Sequence, residues 1–160
     1  MDLSPRPASL SVTEMVQVVL PNDGNPLGFI LGGTVMHLVD IAGAIACFRH
    51  ARTRVVTAAV DGLEFLHPIK VGDLIILKAR VTATFRTSIE TRVEVFSEEV
   101  VSGRRLLTCH AYLTFVGIGS DGTPVPVPPL LLETEDERTM SEGAQARRAH
   151  RLKKRTTKSS

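Results

Sequence analysis

The stretch Asn25–His50, NPLGFILGGTVMHLVDIAGAIACFRH, decides the fold of this chain. After the glycine pair Gly32-Gly33 it continues for about four and a half helical turns, at 3.6 residues per turn, without a proline. Apolar side chains occupy nearly every side of this predicted helix, whereas a helix on a protein surface shows a polar face. We therefore predict a helix that other elements wrap and that ends near Ala51.

Asp40, in the middle of this helix, gives the first indication of function. An isolated ionised carboxylate in apolar surroundings is costly unless it is paired, hydrogen-bonded or in contact with a water-filled cleft. From the residues alone, Asp40 can act as a general base, or it can pair with Arg49 or with a hydroxyl on a strand. His37 lies one turn earlier, but the chain has no Gly-x-Ser-x-Gly motif. We expect His37 to be a packing residue.

The composition is that of one globular domain, with 160 residues, 43% hydrophobic and 22% charged. No apolar run reaches the roughly 20 residues that span a bilayer, and the first residues do not resemble a secretory signal. We predict a cytoplasmic location. Cys47 and Cys109 lack metal-ligand spacing, so we expect buried, reduced thiols, no disulfide and no metal site.

The net charge of +2 conceals an uneven distribution. From Arg147 onward there are seven Lys or Arg residues and no acid, whereas residues 1–146 hold 12 bases and 17 acids, a net charge of −5. The basic pI therefore does not indicate that the folded body binds nucleic acid, and we expect no nucleic-acid partner. A tail that tethers the protein to RNA or to an anionic membrane stays open as an alternative, although runs of like charge are usually solvated.

The segments around the helix have the patterns of strands. Residues 11–20 predict a first strand, and residues 54–66 predict a long one with a bulge or bend at Asp61-Gly62. Three further stretches alternate apolar and polar residues and are joined by short polar turns. We predict that they are antiparallel neighbours with one buried and one at least partly wet face. These stretches start at Leu77, Ile89 and Leu107.

One apolar helix and about five strands are best accommodated by an α+β fold in which the sheet curls around the helix. A helix on an open sheet would leave half of its apolar surface in water, at about 25 cal/mol per Å². We predict a flexible leader at residues 1–9, a folded domain at residues 10–132, and a charged C-terminal helix and basic tail at residues 133–160. Acids come first and bases last in that helix, which suits its dipole; packing and partial disorder both remain possible for it.

Three segments of the chain resemble one family. PNDGNPLGFILGGTVMHLVDIAGA, RVVTAAVDGLEFLHPIKVGD and RTSIETRVEVF, in this order, resemble the hotdog-fold acyl-CoA thioesterases, in the acyl-CoA hydrolase branch that includes brain acyl-CoA hydrolase and short bacterial relatives. The likeness covers roughly residues 15–118. It implies a hotdog fold, in which a five-stranded antiparallel sheet wraps one long helix. It also implies a homodimer with active sites at the subunit interface, possible assembly as a trimer of dimers, and an acyl-CoA substrate.

The resemblance implies hydrolysis of acyl-CoA to fatty acid and CoA by a water that Asp40 activates, with Asn25 supplied by the other subunit. By composition alone Asn25 would be an Asx-turn residue. Backbone amides at the start of the helix are unpaired, so Gly32, Gly33 and Thr34 are candidates for an oxyanion site. A tight turn at the glycines is compatible with that role. No cofactor is expected, because CoA is part of the substrate.

The resemblance also indicates where CoA binds. The turn Arg86–Ser88, with Thr87 between, matches a family motif and offers a cation and two hydroxyls for phosphate. The chain departs from the family pattern at Phe29, Leu31 and Thr34, beside the expected acyl pocket, so no preference for chain length is carried over. A non-catalytic acyl-CoA sensor or assembly module on the same fold is the alternative. A hotdog dehydratase is weaker, since no aspartate–histidine pair has the required spacing.

Overall fold

The structure is a computed structural model that describes residues 1–159. Within that range there are two α-helices, α1 (Gly32–Ala51) and α2 (Glu135–Lys158). The main strands are β2 (Thr13–Val18), β3 (Arg54–Phe65), β4 (Leu74–Thr84), β5 (Ser88–Glu98) and β6 (Arg105–Ile118). They form one antiparallel sheet in the order β2-β4-β5-β6-β3. A small parallel pair joins β1 (Arg6–Pro7) to β7 (Leu130–Leu131).

The sheet curls around α1, and small residues in the second half of the helix let the two pack closely. Ala42, Gly43 and Ala46 are buried there. A Cβ atom at Gly43 would lie 2.9 Å from Oγ1 of Thr91 and 3.0 Å from Cε2 of Phe115, so only glycine fits without a shift of neighbouring atoms. The predicted arrangement of one long helix within a five-stranded antiparallel sheet, the hotdog fold, is confirmed.

One side of α1 stays uncovered in the single chain, contrary to the expectation that the helix is wrapped all round. Met36 is 46% exposed and Phe48 is 43% exposed. The edge strand β3 is also largely exposed, with apolar Val56 and Val60 about half accessible at 50% and 46%. The five strands of one chain leave this edge unpaired, so the exposed apolar surface follows from the sheet ending at β3.

The helix α2 packs on part of the outer face of the sheet, where Glu90 is buried, while Lys78 on the same face is exposed, so this face is partly wet as predicted. Thr134 caps α2 by accepting a hydrogen bond from the amide of Glu137. Arg147 donates to both carboxylate oxygens of Glu90 on β5, at 2.8 and 2.9 Å, and its guanidinium lies 3.5 Å from the ring centroid of Tyr112 on β6. The helix is therefore held on the domain by charged residues together with the buried Ala144.

The start of the chain is attached more firmly than predicted. The leader was expected at residues 1–9, but Arg6 and Pro7 form β1, and Ala8 is buried at the start of a 3₁₀ helix. Nη1 of Arg6 donates to the carbonyl of His50 at the end of α1, at 2.6 Å. Residues 6–9 thus belong to the fold, because they cap the carbonyl end of the central helix.

Three other sequence predictions concern local features. The ladder between β3 and β6 shifts register between Asp61 and Glu64, and Gly62 has φ +62°, which confirms the bulge. Cys47 and Cys109 are buried and free, as predicted, and burial raises the pKa of both thiols. Among residues 1–159 no helix has both the length and the apolarity needed to cross a bilayer.

Candidate active site

Asp40 occupies a half-buried position on α1, at the wall of a cavity of about 390 Å³. Its Oδ1 accepts a hydrogen bond of 2.6 Å from Oγ1 of Thr57. The alternative partner Arg49 instead donates to the carbonyl of Val12, at 2.7 Å. Asp40 therefore meets a hydroxyl and an open cavity rather than a cation, and one of its carboxylate oxygens is left for another donor.

Thr57 was not identified from the sequence. It lies on β3, 17 residues after Asp40, and its side chain reaches across to α1. The only available signal was the general one that a hydroxyl on a strand could satisfy the carboxylate. Which hydroxyl does so depends on how β3 crosses the helix, and that crossing is set by the pairing of β3 with β6.

Asn25 lies in the loop before α1 and is held by a local turn. Its Oδ1 accepts from the amides of Leu27, at 3.0 Å, and Phe29, at 3.1 Å. This arrangement matches the Asx turn expected from composition. Because both contacts use the oxygen, Nδ2 becomes the available donor, and it donates to no residue in the described part of the chain. The Asx turn thus fixes the orientation of the Asn25 amide group and leaves Nδ2 free to donate, so it is compatible with a functional role of Asn25.

A single chain does not bring Asn25 and Asp40 together. Asn25 lines a separate cavity of about 350 Å³, whose walls are mainly apolar and include Phe29, Val35 and Phe65. The glycine pair stands between the two cavities, with Gly32 lining that of Asn25 and Gly33 lining that of Asp40.

The amides at the start of α1 divide into two groups. The N-cap residue Leu31 has no side-chain capping group, so the first amides depend on other acceptors. Within the described chain, the amides of Gly32 and Gly33 donate to no carbonyl. The amide of Thr34 donates to the carbonyl of Leu31, at 3.0 Å. Of the three predicted oxyanion residues, Gly32 and Gly33 thus have amides without a carbonyl acceptor, whereas the amide of Thr34 has one in this structure.

His37 differs from its predicted packing role. The side chain is exposed and lines the cavity of Asp40. Its ring makes no hydrogen bond or ion pair with residues 1–159. In the single chain His37 does not pack in the core, because it lies on the side of α1 that one chain leaves open.

The predicted CoA-binding turn contributes to a third cavity, of about 200 Å³. Thr87 and Ser88 line it, whereas Arg86 is exposed and does not. Half of the remaining lining residues come from α2, for which the sequence left packing and partial disorder open. The cationic residues that α2 places there are Arg148, Arg151 and Arg155.

Comparison with known proteins supplies an independent line of evidence. Residues 27–104 match the family model of the Thioesterase superfamily. The chain is 36% identical over 149 residues to the cytosolic acyl coenzyme A thioester hydrolase of Rattus norvegicus. The aligned residues cover 91% of this chain and 39% of that protein. The chain thus spans about two fifths of the length of that relative. It is also 39% identical to a solved apo-hexameric acyl-CoA thioesterase, with a TM-score of 0.90 over 94% of this chain and 97% of the other.

The chain belongs to the thioesterase superfamily. The family resemblance drawn from the three sequence segments is thereby confirmed. Another superfamily member is the acyl-CoA hydrolase of Staphylococcus aureus, 32% identical, with a TM-score of 0.84 over 95% of both chains. It has been solved with butyryl coenzyme A, coenzyme A and coenzyme A disulfide. Further structures of that hydrolase carry alanine in place of an asparagine, an aspartate or a threonine.

Proposed function

We propose that this thioesterase-superfamily protein hydrolyses acyl-CoA thioesters to a free carboxylic acid and CoA. The observation that carries the proposal is Asp40, held by Thr57 at the wall of an open cavity. Its carboxylate takes a proton from water while the water oxygen attacks the thioester carbonyl. The C–S bond then breaks, and the departing thiolate of CoA receives a proton.

Thr57 positions the carboxylate for this step. Its hydrogen bond to Oδ1 fixes the plane of the Asp40 carboxylate and leaves the other oxygen for the water. Residue spacing supports the same trio in this chain. In the Staphylococcus aureus hydrolase the substituted asparagine and aspartate are 15 residues apart, and the aspartate and threonine are 17 apart. The separations of Asn25, Asp40 and Thr57 are the same.

The complete site requires two copies of the chain. Asn25 and Asp40 line separate cavities in one copy, and the apolar edge strand β3 is unpaired. An unpaired edge is a ready template for a second strand, and pairing about a twofold axis places the same surfaces of both copies together. We infer a homodimer in which Asn25 of one copy meets Asp40 of the other. The hexameric relative supports further assembly as a trimer of dimers.

The remaining groups bind the substrate around this centre. The open amides of Gly32 and Gly33 and the Nδ2 of Asn25 are donors for the oxyanion that forms on the thioester carbonyl. The apolar cavity of about 350 Å³ beside Asn25 suits the acyl chain. Thr87 and Ser88 face the CoA moiety. The name of the rat relative supports a cytoplasmic location.

The test is an assay of the purified protein on acyl-CoAs of graded chain length, with the released thiol followed. Turnover of at least one chain length is expected, and Asp40→Asn should lower kcat/KM by roughly 10²- to 10⁴-fold. Asp121→Asn is the matched control, because Asp121 also accepts from a threonine, Thr123, but in an exposed turn. No turnover at any length, or an Asp40→Asn variant at full rate, would disprove the proposal. Tight binding of acyl-CoA without turnover would establish the non-catalytic sensor instead.

A further inference from the structure

The cavity of about 350 Å³ beside Asn25, which we call the acyl cavity, is open at one side and closed at its bottom. Its mouth includes residues at the end of β3, where Phe65 is 52% exposed and Leu66 is 47% exposed. Val35 of α1 and Cys109 of β6 also line it, but they are only 2% and 0% exposed. These two core residues therefore form part of the floor of the cavity.

The space above this floor follows from the order of side-chain sizes along β6. The inward-facing residues are two large side chains followed, toward the cavity, by two small ones: Phe115, Leu113, Ala111 and Cys109. At the large end there is no gap, because a Cβ atom at Gly43 of α1 would lie 3.0 Å from the ring of Phe115. At the other end both Val35 and Cys109 are short and do not fill the gap between helix and sheet. Protein interiors contain few voids larger than a water molecule, so a gap of this volume indicates a binding space.

Cys109 acts in this floor as a small apolar residue. It is free, and burial raises the pKa of its thiol, so the sulfur is neutral. A buried neutral thiol packs like a small hydrophobic group. The residue is held in the sheet on both sides, since it pairs with Phe65 of β3 and with Val95 of β5. Cys109 is therefore a fixed apolar stop at the bottom of the cavity.

The volume of the acyl cavity limits the length of chain that it can enclose. A cavity of about 150 Å³ holds benzene, which corresponds to roughly 25 Å³ per carbon atom. At that density the acyl cavity holds at most roughly 14 carbon atoms. Because the mouth is open, the walls enclose less than the whole volume. The enclosed part therefore suits a chain of medium length.

We propose that Val35 and Cys109 determine the acyl-chain length that the enzyme accepts, and that its preferred substrates are medium-chain acyl-CoAs with roughly 8–12 carbon atoms. This inference rests on the proposed function, in which the acyl chain lies in this cavity. Each methylene that leaves water for the cavity strengthens binding roughly fourfold. A chain that has reached the floor gains nothing from a further methylene.

Longer chains should also react more slowly, because the floor does not yield. A chain that is too long for the cavity holds its thioester carbonyl away from the amides of Gly32 and Gly33. A displacement of about 1 Å from the reactive position can lower the rate by about a hundredfold. The value of kcat/KM should therefore rise with chain length, pass through a maximum and then fall, and the floor sets the position of the maximum.

Two variants change the depth of the cavity in opposite directions. Val35→Ala removes two methyl groups from the floor and should move the maximum to chains longer by roughly two carbons. Cys109→Leu adds two carbon atoms and should move it to chains shorter by roughly two carbons. Hydrolysis is followed by thiol release, from butyryl-CoA to stearoyl-CoA, at concentrations below micelle formation. Cys47→Ala is the control, because Cys47 is also a fully buried thiol but does not line the cavity.

The decisive readout is the ratio of kcat/KM for tetradecanoyl-CoA to that for hexanoyl-CoA. Both values come from one enzyme preparation, so a change in the folded fraction cancels in the ratio. We expect the ratio to rise roughly tenfold in Val35→Ala and to fall roughly tenfold in Cys109→Leu, the lower range for methylene discrimination by an apolar pocket. If Cys109→Leu does not fold, Cys109→Val adds one carbon atom instead of two and should give a smaller shift in the same direction.

Several results would overturn the proposal. Ratios that match the Cys47→Ala control in both floor variants would show that the floor does not limit the chain. A wild-type maximum beyond roughly 14 carbons would contradict the volume argument. A shift in Met36→Ala alone would place the acyl chain in the cavity of Asp40, which Met36 lines.

A binding series separates this inference from the proposed function. S-Alkyl-CoA thioethers of graded length cannot be hydrolysed, and their affinities are measured by calorimetric titration of the full chain. The affinity should stop rising at a longer alkyl chain in Val35→Ala and at a shorter one in Cys109→Leu. A wild-type protein that hydrolyses no acyl-CoA would contradict the proposed function, while the thioether series would still decide on the floor. An identical thioether series in all variants of an active enzyme would contradict the floor alone.

Discussion

The hydroxyl of Thr57 on β3 donates a hydrogen bond of 2.6 Å to Oδ1 of Asp40 on α1. Because this bond fixes the carboxylate, we expect Thr57→Val to lower kcat by about tenfold, with the loss of one charged hydrogen bond. Thr57→Ser, which keeps the donor, should stay near the wild-type rate. Thiol release with the best acyl-CoA measures both. Thr123→Val, which removes a similar bond to Asp121 in a surface turn, is the control. A Thr57→Val enzyme at full rate would show that the bond is only structural.

A mixture of two inactive variants should recover activity if the site is shared between copies. Asn25→Ala and Asp40→Ala each inactivate both sites of a homodimer. A mixed dimer of the two variants has one site with both Asn25 and Asp40 and one site with neither. Random pairing of equal amounts should therefore give roughly a quarter of the wild-type rate. The measurement is thiol release after co-refolding or co-expression. A mixture no more active than its parents would place both residues of a site in one copy.

The buried pair of Glu90 and Arg147 should be essential to stability. Arg147→Met leaves the carboxylate of Glu90 buried with only the hydroxyl of Thr82 nearby, at 2.6 Å. We expect a loss of about 3–5 kcal/mol in the free energy of unfolding, measured in urea. The double variant with Glu90→Gln should be less destabilised than Arg147→Met, since no unpaired charge remains. Arg138→Met, which breaks an exposed pair, should cost less than about 1 kcal/mol.

Substitution by alanine should affect stability differently at two glycines of α1. Gly43→Ala would press a methyl group against Thr91 and Phe115, and we expect a loss of about 1–3 kcal/mol from overpacking. Gly33→Ala meets no atom within 4 Å and should leave the thermal midpoint unchanged or slightly higher. Calorimetric melting of the two variants compares them directly. Equal midpoints would mean that the sheet adjusts to the added methyl group without cost.

His50 should make stability depend on pH. Burial lowers the pKa of its imidazole, the nearby guanidinium of Arg6 adds to this, and a hydrogen bond of 2.8 Å with the carbonyl of Pro128 opposes it. The unfolded chain takes up a proton near pH 6.5, whereas the native chain does so only at lower pH. The free energy of unfolding should therefore fall as the pH drops below about 6.5, by up to about 1.4 kcal/mol per pH unit.

The variant His50→Gln isolates this contribution, because glutamine can keep a donor for Pro128 but does not titrate. Urea unfolding from about pH 8 to about pH 5 should show a shallower slope for the variant. The carboxylates titrate in both proteins and cancel in the comparison. Parallel curves would show that His50 is protonated in the native state or contributes nothing.

The sequence predicted α1 and the sheet because both leave periodic signals. The helix was recognisable from its missing polar face, and β4, β5 and β6 from alternation. Thr57 could not be found this way, because the sequence does not show which helix residue a strand hydroxyl contacts. Nor does the sequence show that the carbonyl of Leu31 accepts hydrogen bonds from the amides of Thr34 and Val35.

The packing of the C-terminal helix could not be decided from the sequence for a different reason. Its attachment was assessed by counting apolar anchors, and there are few. The structure holds it through pairs such as Arg147 with Glu90, and the side chain of Glu90 is buried near the start of β5. Charge pairing across 57 residues of sequence leaves no local pattern.

The placement of Asn25 and Asp40 in separate cavities bears on how the protein behaves when it is scarce. Under the proposed mechanism a lone copy carries two half-sites, so diluting the protein below the dissociation constant of the dimer would lower turnover more steeply than it lowers the number of molecules. Activity per molecule would then rise with abundance. Under the proposed mechanism, the expression level itself acts as a control on the enzyme, with no effector required.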